Sequence, residues 1–496
     1  MRPVSPPPPS RAAPEEAPVK RSPHLATTGA IYVYFAVYGS AVIAISQSSA
    51  HLQQQWGATE GQVLQAIAGV GVGKVVGPLF AGFVSDRFGR RPAVVTGLVL
   101  VGVFLGALLV SPTWQAGFAL AVLFGLANAV GDTGSYPTLM EAFPARAGTA
   151  NVLAKAAIAV GQLVLPLAVT ATAGAGLAWG TPFAVLLAVV AVLVVVQLRA
   201  RFPDRPVPDR PVPDRDGPAR ASAAVPSATG TATPAAPRVG VDGAALVAYA
   251  FCATAMFWLA QSTLPQIGVH LGGMSADGGR TLVAAYSAGS VVGVLATAAL
   301  VARAVRGVTV LATYPVAAGL AYAGLLVAPG PVAFGVCAFG IGVFAAGGLF
   351  QLTVAVLAGL FPHRKGVVTS MVGLASGLAA FVLPFVSGLV VGDATAGAAS
   401  YRVVVGLGIG VAAAAAVLGQ VVRRRDGVLR PVAGSAQPAA GSLARAPRTA
   451  NAATPAETSE PSSRYVATGH QASCAQASSA VATNGVNPPA TADATW

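Results

Sequence analysis

Charged side chains are scarce in this sequence: they make up 9% of its 496 residues, whereas 54% are hydrophobic. Soluble proteins carry roughly 25% charged residues. A chain this poor in charge cannot cover a large core with a polar surface, and its mean hydropathy of +0.68 points the same way. The composition therefore excludes an ordinary soluble protein and indicates that lipid is the solvent.

Metal-binding and nucleotide-binding patterns are also missing. The three cysteines, Cys252, Cys337 and Cys474, lie far apart, and the five histidines have no ligand spacing. The sequence Gly-x-x-x-x-Gly-Lys-Ser/Thr, which cradles phosphates in nucleotide-hydrolysing proteins, does not occur. We therefore expect no metal, no cofactor and no nucleotide-driven mechanism, and a membrane enzyme or a non-transporting receptor is the weaker alternative to a transporter.

Basic residues outnumber acidic ones and give a formal net charge of +13. They fall in short clusters between apolar runs and do not form the single basic face that nucleic-acid binding would require. Such clusters are typical of the loops of membrane proteins. We expect contact with a lipid bilayer and no binding of nucleic acid.

Apolar stretches of about twenty residues recur along the chain, each long enough to cross ~30 Å of hydrocarbon. They predict an all-α membrane protein with twelve transmembrane helices. No obvious cleavage site follows the first stretch, which we interpret as a retained helix. The stretches lie near residues 27–50, 60–84, 92–111, 115–138, 149–172, 179–198, 243–268, 279–302, 308–328, 331–356, 366–391 and 402–422.

Three polar regions flank or separate these stretches. They are rich in Pro, Ala, Ser and Thr, as in the run PDRPVPDRPVPDR at 203–215, and cannot bury a core, so we expect disorder. The predicted organisation is a tail at 1–24, a six-helix bundle at 25–198, a linker at 199–240, a second six-helix bundle at 241–422 and a tail at 423–496.

Basic residues in the short loops predict the orientation. If the helices alternate in direction, one side of the membrane holds most of these residues, and the other holds Arg280, with Arg402 at a helix edge. The positive-inside rule places the richer side, and both termini, in the cytoplasm of a multi-pass protein of the cytoplasmic membrane. The inside set is Arg87, Arg90, Arg91, Arg146, Arg303, Arg306, Arg364, Lys365 and Arg423 to Arg425.

The two halves share a repeated pattern. It predicts two bundles of the same orientation, related by a pseudo-twofold axis along the membrane normal, with the substrate bound between them. The matched residues are Phe143-Pro144, Gly148 and Pro166 with Phe361-Pro362, Gly366 and Pro384 at an offset of 218, Gly73 and Gly77 with Gly289 and Gly293 at 216, and Gln47 with Gln261 at 214.

The loop after the second stretch reads Gly-Phe-Val-Ser-Asp-Arg-Phe-Gly-Arg-Arg at 82–91. It resembles the signature loop of the major facilitator superfamily, Gly-x-x-x-Asp-Arg/Lys-x-Gly-Arg/Lys-Arg/Lys, at the position that this family uses. A basic turn that anchors topology would account for the arginines but not for the glycines and the aspartate together.

The resemblance implies a bacterial secondary transporter in which this loop latches the cytoplasmic ends of the two halves. Glu141 is a candidate partner of the loop, or of nearby Arg146. The fourth stretch lacks the arginine of many drug exporters in the family, which weakens that interpretation without excluding it. The expected gating residues are Gly82, Asp86, Arg87, Gly89, Arg90, Arg91 and Glu141.

Three charged residues lie well inside the apolar stretches: Lys74, Asp132 and Lys155. A charge at bilayer depth costs ~2.5–3.5 kcal/mol or more, so each is a functional candidate. Asp132 and Lys155 lie at similar depth on consecutive antiparallel stretches, so an ion pair between them is geometrically reasonable, either structural or linked to proton movement. Lys74 has no obvious partner and is suited to attract an anion, to titrate or to snorkel along a cavity wall.

Uncharged polar and aromatic residues are weaker candidates for contact with a solute, because helix–helix packing explains each of them as readily. This set is Tyr34, Tyr38, Gln47, Asn128, Gln162, Trp258, Gln261 and Gln351.

The sequence therefore predicts a secondary transporter that moves a small solute by alternating access, as a monomer, with protons as the coupling ion. An anionic or polar metabolite is favoured, because the charges inside the stretches sum to +1 if Asp132 is ionised. A proton-driven drug efflux pump is the alternative.

Overall fold

The structure, a computed structural model, describes residues 24–143, 147–203, 243–303, 305–361, 365–392 and 397–425. The predicted tails and linker fall almost wholly outside these ranges. The described residues form fourteen helices and no strand. The helices are α1 (Leu25–Gln47), α2 (Ser49–Trp56), α3 (Glu60–Phe88), α4 (Arg90–Leu108), α5 (Trp114–Ala142), α6 (Ala147–Gly174), α7 (Thr181–Arg199), α8 (Ala244–His270), α9 (Ala276–Ala302), α10 (Gly307–Val327), α11 (Pro331–Ala345), α12 (Leu349–Leu360), α13 (Lys365–Val391) and α14 (Ala398–Arg425).

Within the described residues, twelve segments are long and apolar enough to cross a membrane. They comprise every helix except the short α2, with α11 and α12 forming one span together. The prediction of an all-α protein with twelve spans is thus confirmed. The helix α2 was not predicted, because its mixed sequence SAHLQQQW carries no spanning signal.

The continuous stretch predicted at 331–356 is instead broken between α11 and α12. Gly348 adopts φ +100°, a backbone conformation that favours glycine. Gly347 lies close to α9, because a Cβ added to Gly293 of α9 would be 2.8 Å from the Cα of Gly347. The carbonyl of Gly347, freed from the helix, accepts a hydrogen bond of 2.5 Å from the Thr297 hydroxyl. Such a break is tolerated at membrane depth because the protein satisfies the backbone.

The repeat in the sequence corresponds to a repeat in the fold, with α1–α7 forming one six-span bundle and α8–α14 the other. The caps of α5 and α12 have the same backbone conformation, with φ −131° and ψ 63° at Phe143 and φ −124° and ψ 64° at Phe361. Gly73 packs on the backbone of α5, and its counterpart Gly289 packs on the backbone of α11. The prediction of two related halves is confirmed.

Helix α3 uses glycine on two faces. One face crosses α5 of its own half, where a Cβ on Gly73 would be 2.7 Å from the Cα of Gly125. The other crosses α13 of the opposite half, where a Cβ on Gly61 would be 2.5 Å from the carbonyl oxygen of Gly388. Small residues allow helix backbones to approach this closely, so α3 is packed tightly against both halves.

The two ends of the bundle differ in how closely the halves meet. At the end that holds Glu60, which we call the Glu60 end, α3 and α13 are in backbone contact from Gly61 to Val75. Toward the opposite end, the Arg90 end, Leu79 lies one turn after Val75 and is 76% exposed. On α13, Gly377 packs against Val75 of α3. Gly373 lies one turn away on the same helix, and a Cβ added there would have no described neighbour within 4 Å. The interface between α3 and α13 is therefore closed at the Glu60 end and open at the Arg90 end.

Candidate functional site

The three charged side chains inside the spans form one electrostatic group at the centre of the molecule. Lys74 of α3 interacts with Asp132 of α5, and also with Lys155 of α6. Asp132 accepts a hydrogen bond of 3.0 Å from the amide of Asn128, one turn earlier on α5. All three charged residues are only partly buried, so they remain accessible from the space between the helices.

The ion pair considered between Asp132 and Lys155 does not form; the cation that Asp132 faces is Lys74. The physical reason is the packing order of the helices. The glycine crossing at Gly73 and Gly125 brings α3 against α5, while α6 packs against α1 at Gly39 and Gly161. Neighbours along the chain are thus not the closest neighbours in space.

Two tyrosines of α1 complete the surroundings of Asp132. The Tyr34 hydroxyl lies against Gly131, and both Tyr34 and Tyr38 interact electrostatically with Asp132. The Tyr38 ring stacks on Phe124, with centroids 5.3 Å apart. These contacts place Tyr34, Tyr38 and Asn128 beside the charged group. A residue that contacts a solute bound there has to occupy such a position.

Both lysines reach across to the opposite half of the molecule. The Lys74 ammonium lies 5.9 Å from the ring centroid of Trp258, and the Lys155 ammonium lies 5.4 Å from that of Phe257. Both rings belong to α8, the first helix of the second half. Such cation–π contacts are worth roughly 0.5–2 kcal/mol, according to how far they are desolvated. Trp258 was among the residues predicted from the sequence, whereas Phe257 was not, because a phenylalanine in an apolar helix carries no polar signal.

Several buried polar groups around this centre have no hydrogen-bond partner among the described residues. They include the Tyr34 hydroxyl and the Trp258 indole nitrogen. Gln47 lies away from this centre, at the Glu60 end, where it lines a small cavity with Glu60 and His270. The Gln261 amide donates to the Tyr286 hydroxyl at 3.1 Å, but its own oxygen has no partner. An unsatisfied buried polar group costs roughly 1–3 kcal/mol, so a cluster of them is suited to receive the polar groups of a solute.

The remaining candidates lie outside this cluster of contacts. Gln162 is buried on α6, and Gln351 is exposed on α12. Neither makes a described contact with the charged group, so we do not include them in the site.

At the Arg90 end, the signature loop contains a glycine-specific turn and an ion pair. Gly89 has φ +97° and ψ 177°, a conformation that is essentially restricted to glycine. Arg90 and Glu141 form an ion pair of 3.3 Å that joins α4 to α5, and Arg91 donates to the carbonyl of Ala200 at 2.6 Å. Arg87 is exposed, and the side chains of Gly82 and Asp86 lie outside the described part. The Arg90–Glu141 contact lies within the first half.

Known proteins establish the family of this chain. A family model of the Major Facilitator Superfamily matches residues 30–343. The chain belongs to the Major Facilitator Superfamily. It is 32% identical over 390 residues to the MFS-type transporter YfkL of Bacillus subtilis (strain 168), covering 79% of this chain and 94% of that protein. It is 31% identical over 368 residues to the inner membrane transport protein YdiM of Escherichia coli (strain K12), covering 74% and 87%.

Solved structures of this superfamily have the same fold. A D-xylose-proton symporter aligns with a TM-score of 0.59 at 12% identity, covering 80% of this chain and 97% of that one. The nucleoside transporter NupG aligns with a TM-score of 0.60 at 12% identity, covering 81% and 99%. The family match and the two relatives, together with the twelve spans of the described residues, make this superfamily member a multi-pass membrane transporter.

Proposed function

We propose that this transporter moves a small anionic metabolite, coupled to protons, by exposing a site between its halves to each side of the membrane in turn. The observation that carries the proposal is the position of Lys74 and Lys155. The two cations lie near enough to repel each other, and each rests on an aromatic ring of the opposite half. An anionic group placed between them relieves the repulsion, at the place where the first half meets α8 of the second.

Asp132 is the proposed proton site. Its carboxylate interacts electrostatically with the ammonium of Lys74. Among the described residues inside the spans, Asp132 is the one acid that faces these lysines. When a solute carboxylate binds Lys74, Asp132 loses part of the attraction that keeps it ionised. Solute and proton then bind together, which is the thermodynamic requirement for transport of both in the same direction.

The orientation proposed from the loops makes the Arg90 end cytoplasmic. Arg87, Arg90, Arg303, Arg306 and Arg423 all fall at that end, whereas the Glu60 end holds Arg280 and Arg402. Both termini are then cytoplasmic, and the opening between α3 and α13 faces the cytoplasm. Because the two halves of one chain supply both sides of the site, a monomer is sufficient for transport.

Uptake into proteoliposomes tests the proposal. Purified protein is reconstituted with an imposed pH gradient and offered labelled organic acids, neutral sugars and cationic drugs in separate assays. We expect uptake of one or more organic acids that collapses when the gradient is removed. Transport of a cationic drug in preference to every acid would contradict the anionic site and support the alternative of drug efflux.

The proton site has its own test. Asp132→Asn removes the titrating group, and we expect it to abolish accumulation driven by the pH gradient while solute exchange without a gradient persists. Asp132→Glu, which keeps a carboxylate, is the matched control and retains coupling. If Asp132→Asn accumulates solute with an unchanged pH dependence, Asp132 is not the coupling residue.

A further inference from the structure

A histidine and an acid meet across the two halves at the Glu60 end. The imidazole Nε2 of His270, at the end of α8, lies 3.1 Å from the Glu60 carboxylate at the start of α3. Both side chains are largely buried, with 27% of the histidine and 13% of the glutamate side chain exposed. The contact therefore joins the first half to the second at the place where the bundle is closed.

Two further hydrogen bonds cross between the halves beside this pair. Arg280 of α9 donates to the backbone carbonyl of Gln47 at 3.0 Å, and the Ser46 hydroxyl donates to the carbonyl of Gln261 at 3.0 Å. Both acceptors are backbone groups, and arginine and serine do not change protonation near neutral pH. Of these three links across the halves, the one between His270 and Glu60 is thus the one that depends on pH.

Two titratable groups face His270, one from α3 and one from α14. Glu60 comes from α3, and Tyr401 of α14 stacks on the imidazole with ring centroids 4.7 Å apart. On α9, Arg280 lines the same small cavity as His270 and Glu60, and its charge is paired with Asp277. The helices α1 and α2 contribute uncharged residues to this cavity, Gln47 and Gln53 among them.

We propose that Glu60 and His270 form a second proton-binding site, separate from Asp132, which closes the Glu60 end of the transporter when it is protonated. An imidazolium attracts the carboxylate more strongly than a neutral ring does, because hydrogen bonds between charged partners are roughly twice as strong as neutral ones. The proton therefore stabilises the arrangement in which α3 and α8 meet. Opening requires the pair to separate, so it becomes easier as pH rises and the imidazolium loses its proton.

This inference rests on the proposed function only in assuming that the halves move relative to each other, and it does not depend on the identity of the solute. It assigns two protonation steps to different parts of the cycle. Asp132 binds a proton with the solute at the centre, whereas the Glu60–His270 site controls access from one side. A transporter built in this way closes its Glu60 end when the medium on that side is acidic.

Distance measurements between spin labels test the site without any solute. Labels on Gln54→Cys and Ala276→Cys, both exposed at the Glu60 end and on opposite halves, report its closure. The three native cysteines are first replaced by alanine. From about pH 8 to about pH 5.5, where histidine titrates, we expect the ratio of closed to open populations to rise about fivefold. His270→Gln and Glu60→Gln each preserve the shape of one partner, and each should abolish this pH dependence.

His51 provides a matched control at the same end. It stacks on Trp179, with ring centroids 4.0 Å apart, so its contact lies within the first half, and partial burial lowers its pKa. His51→Gln should leave the pH response of the label distance unchanged. The proposal is overturned if His270→Gln and Glu60→Gln retain the pH response, or if His51→Gln removes it. Because no solute is present, a failure here is distinct from a failure of Asp132→Asn in the uptake assay.

Discussion

Closure of the Glu60 end depends on the absence of a side chain at Gly388, and adding one methyl group there tests this dependence. A Cβ at Gly388 would lie 2.6 Å from the carbonyl oxygen of Gly61 and 2.8 Å from the Cγ of Gln65. Ordinary contacts between carbon and oxygen are about 3.3–3.6 Å long, so α3 and α13 have to separate by roughly 0.7–1 Å. Gly388→Ala therefore penalises the closed arrangement more than the open one.

The magnitude follows from the cost of overpacking. An extra methyl group in a well-packed contact costs about 1–3 kcal/mol. If opening of the end relieves this cost, the closed population falls about 5-fold to 150-fold relative to the open one. The same change at Gly373, on the same helix, meets no described neighbour within 4 Å. Gly373→Ala thus brings the same gain in helix propensity without the clash and serves as the control.

The spin-label pair at Gln54→Cys and Ala276→Cys is again the assay, together with the initial rate of solute uptake. We expect Gly388→Ala to lengthen the distance and to slow transport, because a cycle that cannot close one end cannot complete. If Gly388→Ala matches Gly373→Ala in both distance and rate, backbone contact between α3 and α13 does not control closure. If Gly388→Ala instead loses its folded state, seen as aggregation on size exclusion, the contact is required for folding and the argument for a population shift is refuted.

Two further predictions concern the centre and the Arg90 end. Lys74→Gln removes one of the two cations proposed to bind the solute and should raise the KM for an anionic solute about tenfold or more. Lys74→Arg keeps the positive charge and should retain most of the affinity. An unchanged KM in Lys74→Gln would exclude a direct contact between Lys74 and the solute. Arg90→Glu and Glu141→Arg should each slow transport by breaking the pair between α4 and α5. The double variant, in which the two charges are exchanged, should transport faster than either single variant, with a coupling energy of about 1 kcal/mol in a double-mutant cycle. If the effects of the two single variants simply add, Arg90 and Glu141 do not interact.

The architecture was predictable because lipid imposes a simple rule on the sequence. Every backbone polar group in the hydrocarbon has to be satisfied within its own helix, so each span appears as a separate apolar stretch. The duplication of Phe143 at Phe361, and of Gly73 at Gly289, then indicated two related bundles, and the described structure has the same caps and glycine contacts at those positions. The break at Gly348 was not predicted, because an apolar stretch with glycines is compatible with a continuous helix until a neighbour approaches it.

The sequence could locate the charges of the site but not their partners. By composition alone, Lys74, Asp132 and Lys155 stand out, since a charge in an apolar stretch is costly wherever the stretch lies. Which of them meet depends on the packing of helices distant in the chain, and that is decided by small residues such as Gly73 and Gly125, which determine which helices approach most closely. The same is true of His270 and Glu60, which are 210 residues apart and which only the tertiary structure brings to 3.1 Å. The sequence by itself thus determined the solvent, the spans and the duplication, all of which are local or periodic properties. The pairing of charges across the two halves was decided by tertiary packing, because no local property of either partner specifies the other.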